Sequence, residues 1–117
     1  MSEGREDSRN INFDERSPIL FFPEDQKSIS NVTIALVVKI GFSVPISWEY
    51  TGNISKVTQR IKRNDYFLEG FFWNIENEGK VNWQPSKDLY SGGGYQIVIT
   101  DPVSGVFAES PMFSIEK

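Results

Sequence analysis

The sequence predicts an all-β fold: an immunoglobulin-like antiparallel β-sandwich of about seven to eight strands, preceded by a disordered leader. Three observations carry this. Apolar residues alternate with polar ones over "GFSVPISWEY" (41–50), the period of a strand with one buried face. Short strand-like runs recur along the chain with turn residues between them, and no stretch repeats with the period of a helix. Nine Phe, four Tyr and three Trp in 117 residues suit pleated, half-buried surfaces.

The elements follow in chain order. Residues 1–16 carry charge of both signs and few apolar side chains, and read as a flexible charged leader; residues 17–117 form the sandwich domain. "PILFF" (18–22) opens a strand and "PEDQKS" (23–28) is a loop. "VTIALVVKI" (32–40) reads as one longer strand. In 41–50, Phe42, Val44, Ile46, Trp48 and Tyr50 share the inward parity, and Pro45 marks an edge or a bulge because it has no N–H for the ladder. After a turn at 51–53, "KVTQRIKR" (56–63) returns with Val57 and Ile61 inward and Arg60 and Lys62 outward. "RND" (63–65) turns. "YFLEGFFWNI" (66–75) is a strand interrupted by Gly70, "ENEG" (76–79) a turn and "KVNW" (80–83) a short strand. Ser86 caps a brief helical turn in "PSKDLY" (85–90). "QIVIT" (96–100) sets Ile97 and Ile99 against Gln96, Val98 and Thr100. "DPVSG" (101–105) turns, and "VFA" (106–108) and "MFSI" (112–115) finish the chain.

Composition excludes several functions. Without histidine or cysteine there is no Ser-His-Asp or Cys-His chemistry, no disulfide and no thiolate metal site. A net charge of −4 argues against nucleic acid as partner. No run is long and apolar enough for direct membrane insertion. The triple glycine Gly92-Gly93-Gly94 is followed by Tyr95 and Gln96 rather than the Lys-Ser/Thr of a phosphate loop. A strand rather than a helix comes next, so the glycines read as a tight reversal. No cofactor is expected, and the chain is read as no enzyme.

The pieces "VPISWEYTG" (44–52), "GKVNWQPSKDLYSGGGYQIVITD" (79–101) and "ESPMFSI" (109–115) resemble the Ig-like module of fungal cell-wall β-1,6-glucan assembly proteins (Knh-like), which recurs in Ser/Thr-rich GPI-anchored surface proteins. The matching positions include Val44, Ile46, Trp48, Thr51, Gly52, Trp83, Pro85, Leu89, Gly94, Tyr95, Ile97, Ile99, Ser110, Phe113 and Ile115. The resemblance implies an Ig-like sandwich and a non-catalytic binding or adhesion module at a cell surface or in a cell wall, with a carbohydrate or protein partner. The charged start lacks the apolar region of a signal peptide, so the chain is expected to be an excised domain or, alternatively, an intracellular protein–protein interaction domain in the cytoplasm. The sequons at Asn31 and Asn53 favour a secretory origin.

Five residues are candidate ligand contacts. Phe72 and Trp73 are neighbours on opposite strand faces, so one is expected to be exposed. Glu76 and Glu78 could place paired carboxylates for glycoside hydrolysis, or hold calcium with Asn74 and Asn77; the plain alternative is a solvated turn. Tyr90 lies in the loop before the glycines. Trp48 and Trp83 have a sugar-stacking platform as the functional reading and core packing between two sheets as the favoured one, and Tyr95 reads as packed with its hydroxyl at the rim. Arg60, Lys62 and Arg63 form a small basic patch on a sheet face or edge.

Overall fold

The computed structural model describes residues 26–117; the leader and the strand expected at 18–22 lie outside them. Nine strands are described: β1 (Ser28–Thr33), β2 (Val37–Lys39), β3 (Val44–Thr51), β4 (Lys56–Arg63), β5 (Tyr66–Glu76), β6 (Lys80–Trp83), β7 (Gly92–Thr100), β8 (Phe107–Glu109) and β9 (Phe113–Glu116). The smaller sheet runs β1-β3-β6. The larger runs β2-β9-β7-β4-β5, with β8 also pairing β7. Only β2 against β9 is parallel. β8 and β9 both pair β7 antiparallel, interrupted at Pro111, and β2 lies beyond β9 at the end of the sheet. This is an Ig-like β-sandwich: the opening strand is shared between the sheets, and an edge-to-edge order of last, penultimate, third and fourth long strands builds the larger one.

The alternation expected at 41–50 places Val44, Ile46 and Trp48 in the core. It fails at its ends: Phe42, 67% exposed, lies in the turn before β3, and Tyr50, near the end of the strand, is 41% exposed. Pairing between β1 and β3 ends at Thr33 opposite Ser47, so β3 is locally an edge at Pro45, as proline requires. The single strand expected over 32–40 is two. Val32 is buried in one sheet and Val38 against the other, and residues 34–36 carry the chain across. A crossing between sheets stays apolar throughout, so its composition does not reveal it.

Asn64 and Asp65 form the two-residue β4–β5 hairpin, both with positive φ (51° and 71°), the primed turn that matches strand twist. Past it, pairing jumps from Lys62↔Phe67 to Arg60↔Phe72, so the interruption expected at Gly70 is a bulge. The expected helical turn at 85–90 is one tight turn, with the Asp88 N–H donating to Ser86 Oγ and the Leu89 N–H to the Ser86 carbonyl.

The triple glycine is corrected in place: it is not a reversal but the start of β7. Arg63 donates through Nε to the Gly93 carbonyl at 2.9 Å, and the Asn64 N–H donates to the Gly94 carbonyl at 2.9 Å. Gly92 and Gly94 have φ of 126° and 86°, and a Cβ on either would run into Arg63 and Asn64 respectively. Bare backbone lets the β4–β5 hairpin seat against β7. Gly94→Ala is therefore expected to cost about 2 kcal/mol, from left-handed strain plus the clash. Gly93→Ala, with ordinary φ, is expected to stay within about 0.5 kcal/mol. Urea denaturation of both variants checks this.

Tyr95, fully buried near the start of β7, donates its hydroxyl to the Tyr90 carbonyl at 2.6 Å. A tyrosine bonding back to upstream backbone at this corner recurs in Ig-like sandwiches. The core combines Val57, Ile61, Ile97, Ile99 and Ile115 of the larger sheet with Ile46 and Trp48 of the smaller.

Candidate functional site: a cleft between the sheet edges

β5 ends one sheet and β6 ends the other, and the sandwich opens between them. Paired positions fix which side chains face inward. Trp73 lies opposite Gln59 and Ile75 opposite Val57; Val81 lies opposite Ile46 and Trp83 opposite Val44. The inward residues at the two edges therefore meet as a cleft lined by Trp73, Ile75, Val81 and Trp83, with Gln59, Asn82 and Gln84, around a hollow of about 250 Å³. A second hollow of about 490 Å³ continues from it over Ile75, Val81 and Asn82 to a rim of Glu76, Glu78, Lys80 and Pro45.

Trp73 is half-buried at the mouth, its ring centroid 6.3 Å from that of Trp83, edge to face. Trp83 leads on to Phe113 at 6.3 Å, and Phe113 to Tyr95 at 5.9 Å. The cleft wall is thus the outer end of an aromatic row that crosses the core, which makes it stiff. Asn77 holds the β5–β6 turn. It accepts from Trp48 Nε1 at 2.9 Å and donates to the Ile54 carbonyl at 2.8 Å. Glu76 pairs with Lys56 at 3.5 Å, with both side chains exposed.

Of the five expected contacts, the structure brings Trp73, Glu76 and Glu78 to this one cleft. Phe72 is on the opposite face of the sheet, 56% exposed. Tyr90 is 75% exposed over a separate depression with Arg63, Leu68, Phe71 and Leu89. Trp83, weighed from sequence as a sugar-stacking platform and read as core, lines the cleft as well. Gln59, Val81 and Asn82 complete it and were not singled out from sequence as contacts; the inward parity of Gln59 between Val57 and Ile61 was the available signal. Among the described residues no group of three or more acidic side chains is placed to hold a metal ion.

The outer face of the larger sheet is a second surface. Register puts Phe107, Thr100, Thr58 and Asn74 in one row. Glu109, Val98, Arg60 and Phe72 form the next, and Gln96, Lys62 and Phe67 the one after. The basic patch does not exist as a solvated cluster. Arg60 lies 3.9 Å over the Phe67 ring, Arg63 turns away onto the Tyr95 ring, and Lys62 is buried, paired with Glu109 and, at 3.6 Å, Asp65. The Glu109 hydrogen bond, against the opposing effect of burial, lifts the Lys62 ammonium above its usual range. Val98, expected outward among polar neighbours, is buried under these side chains.

The chain matches no family model and no curated protein sequence. A solved structure that resembles it is the CARDB domain of a Pyrococcus furiosus protein, crystallised in complex with di-metal ions. That structure is 16% identical, with a TM-score of 0.41, over 91% of this chain and 100% of that one. No helix among the described residues is long and apolar enough to cross a membrane.

Proposed function

We propose that this chain is a non-catalytic binding module that takes a carbohydrate in the cleft between β5 and β6, as part of a cell-surface or cell-wall-associated protein. The observation that carries the proposal is Trp73: a half-exposed indole, braced by Trp83, with the carboxylates of Glu76 and Glu78 and the Asn82 amide around the same opening. A flat aromatic face suits the C–H face of a sugar ring, and convergent polar groups around it fix orientation. The resemblance of 44–52, 79–101 and 109–115 to the Knh-like module supports the same ligand class. The two glutamates are bystanders to chemistry. Both are exposed and Glu76 is ion-paired, whereas an acid–base pair for glycoside hydrolysis needs one carboxyl in an apolar setting.

The exposed aromatics of the outer face favour a second reading, an intracellular module that docks a protein through Phe67, Phe72 and Phe107. Retention on insoluble β-glucan separates the two. The wild type and Phe72→Ala are expected to be retained alike, and Trp73→Ala to lose at least about tenfold, the effect of removing one central aromatic contact. Equal retention of wild type and Trp73→Ala would count against the cleft.

A further inference from the structure

Among the described residues, two donors in the cleft wall have no acceptor. Gln59 on β4 and Trp83 on β6 are 2% and 6% exposed and line the same hollow, yet neither Gln59 Nε2 nor Trp83 Nε1 has a hydrogen-bond partner there. The contrast within the molecule is direct, because the other core indole, Trp48, donates to Asn77. An unpaired buried N–H costs about 1–3 kcal/mol, and folded proteins seldom leave one. Here two occur together, one from each sheet, in the hollow between β5 and β6. The terminal torsion of Gln59 is soft, so its amide can turn toward an acceptor entering between Trp73 and Trp83.

The chemistry of that acceptor is constrained. Both orphans are N–H groups, so the complement is an oxygen lone pair and not an ammonium or amide N–H. Glu76 is paired with Lys56 and Glu78 shares the rim with Lys80, so the rim has no net charge to draw in an ion of either sign. The remaining wall of Trp73, Ile75 and Val81 is apolar. We infer that Gln59 and Trp83 determine the specificity of the cleft. Their two N–H donors meet hydroxyl or ring oxygens of a neutral saccharide. This rests on the carbohydrate reading above.

The three tryptophans give three indole N–H resonances in a nitrogen-15 spectrum. On titration with a neutral β-glucan tetrasaccharide, the Trp83 indole and the Gln59 side-chain amide are expected to move downfield, while the Trp48 indole stays in place. Gln59→Leu, which removes an orphan donor, is expected to fold at least as stably as wild type and to bind at least tenfold more weakly. Gln59→Glu, which keeps the size and removes the donor, is expected to show the same loss. If the Trp73 indole moves while Trp83 and Gln59 do not, and Gln59→Leu binds like wild type, the inference is overturned and the carbohydrate reading stands: the donors then serve water alone. If no resonance moves, both fall. The wild-type titration decides the matter even if a Gln59 variant does not fold.

Discussion

Asp101→Ala is expected to lower the unfolding free energy by about 4 kcal/mol, the range for removing one partner of a buried charged network. Asp101 is 2% exposed at the end of β7. Its carboxylate accepts from the Val103 N–H at 3.0 Å, the Ser104 N–H at 3.2 Å and the Ser104 hydroxyl at 2.6 Å, and Lys27 stands 3.6 Å away. Its own N–H donates to the Val106 carbonyl and its carbonyl accepts from Gly105. One side chain therefore closes the β7–β8 turn and ties it to the start of β1. Alanine takes the acceptor from two turn amides and the nearby carboxylate from the Lys27 ammonium. Asn, which keeps one acceptor oxygen, is expected to cost about half as much.

The same site sets a pH dependence. Burial acts to raise the Asp101 carboxyl, but the Ser104 hydroxyl, the two turn amides and Lys27 outweigh it, so the group titrates below its ordinary 3.8. A carboxyl depressed on folding contributes stability above its unfolded pKa and loses it as pH falls through the lower folded value. Stability is thus expected to decline below about pH 4. Asp101→Asn is expected to flatten that decline, as urea midpoints across the acid range would show.

Ile97→Ala is expected to cost a similar amount, about 4 kcal/mol, with the urea dependence of stability unchanged. Ile97 is fully buried on β7 and lies opposite Ile61, also fully buried, on β4. These are the central strands of the larger sheet, covered on the inner face by the smaller one, so the vacated space has little freedom to collapse. Phe72→Ala on the outer face is the control and is expected to stay within about 0.5 kcal/mol. A small Ile97→Ala effect would mean that the two sheets are not pressed together there.

The strands legible in the sequence are those whose two faces have different surroundings. Around Trp48 the period of two is plain because one face meets the core and the other meets water. At Ile97 it is blurred, because Val98 is also covered, by the Arg60 and Lys62 side chains lying on Phe67. The triple glycine misled because conformational freedom suits a reversal and a close approach equally; what decides is Arg63 and Asn64, thirty residues away in sequence. Asp101 read as an ordinary turn residue, since Lys27, which stands beside its carboxylate, is remote from it in sequence. The candidate site was half legible. Trp73, Glu76 and Glu78 sit close together in sequence, on β5 and its turn. Gln59, Val81, Asn82 and Trp83 reach the cleft from β4, from β6 and from the residue positions their register sets, which local pattern does not encode.

The central claim is that ligand enters between β5 and β6. Backbone amide shift mapping on labelled protein, titrated with a β-glucan oligosaccharide, tests it most directly. Shifts are expected to cluster at Trp73, Ile75, Val81, Asn82 and Trp83 and to leave Phe67, Phe72 and Phe107 unmoved. Shifts confined to those three phenylalanines and their neighbours, with the cleft silent, would contradict it.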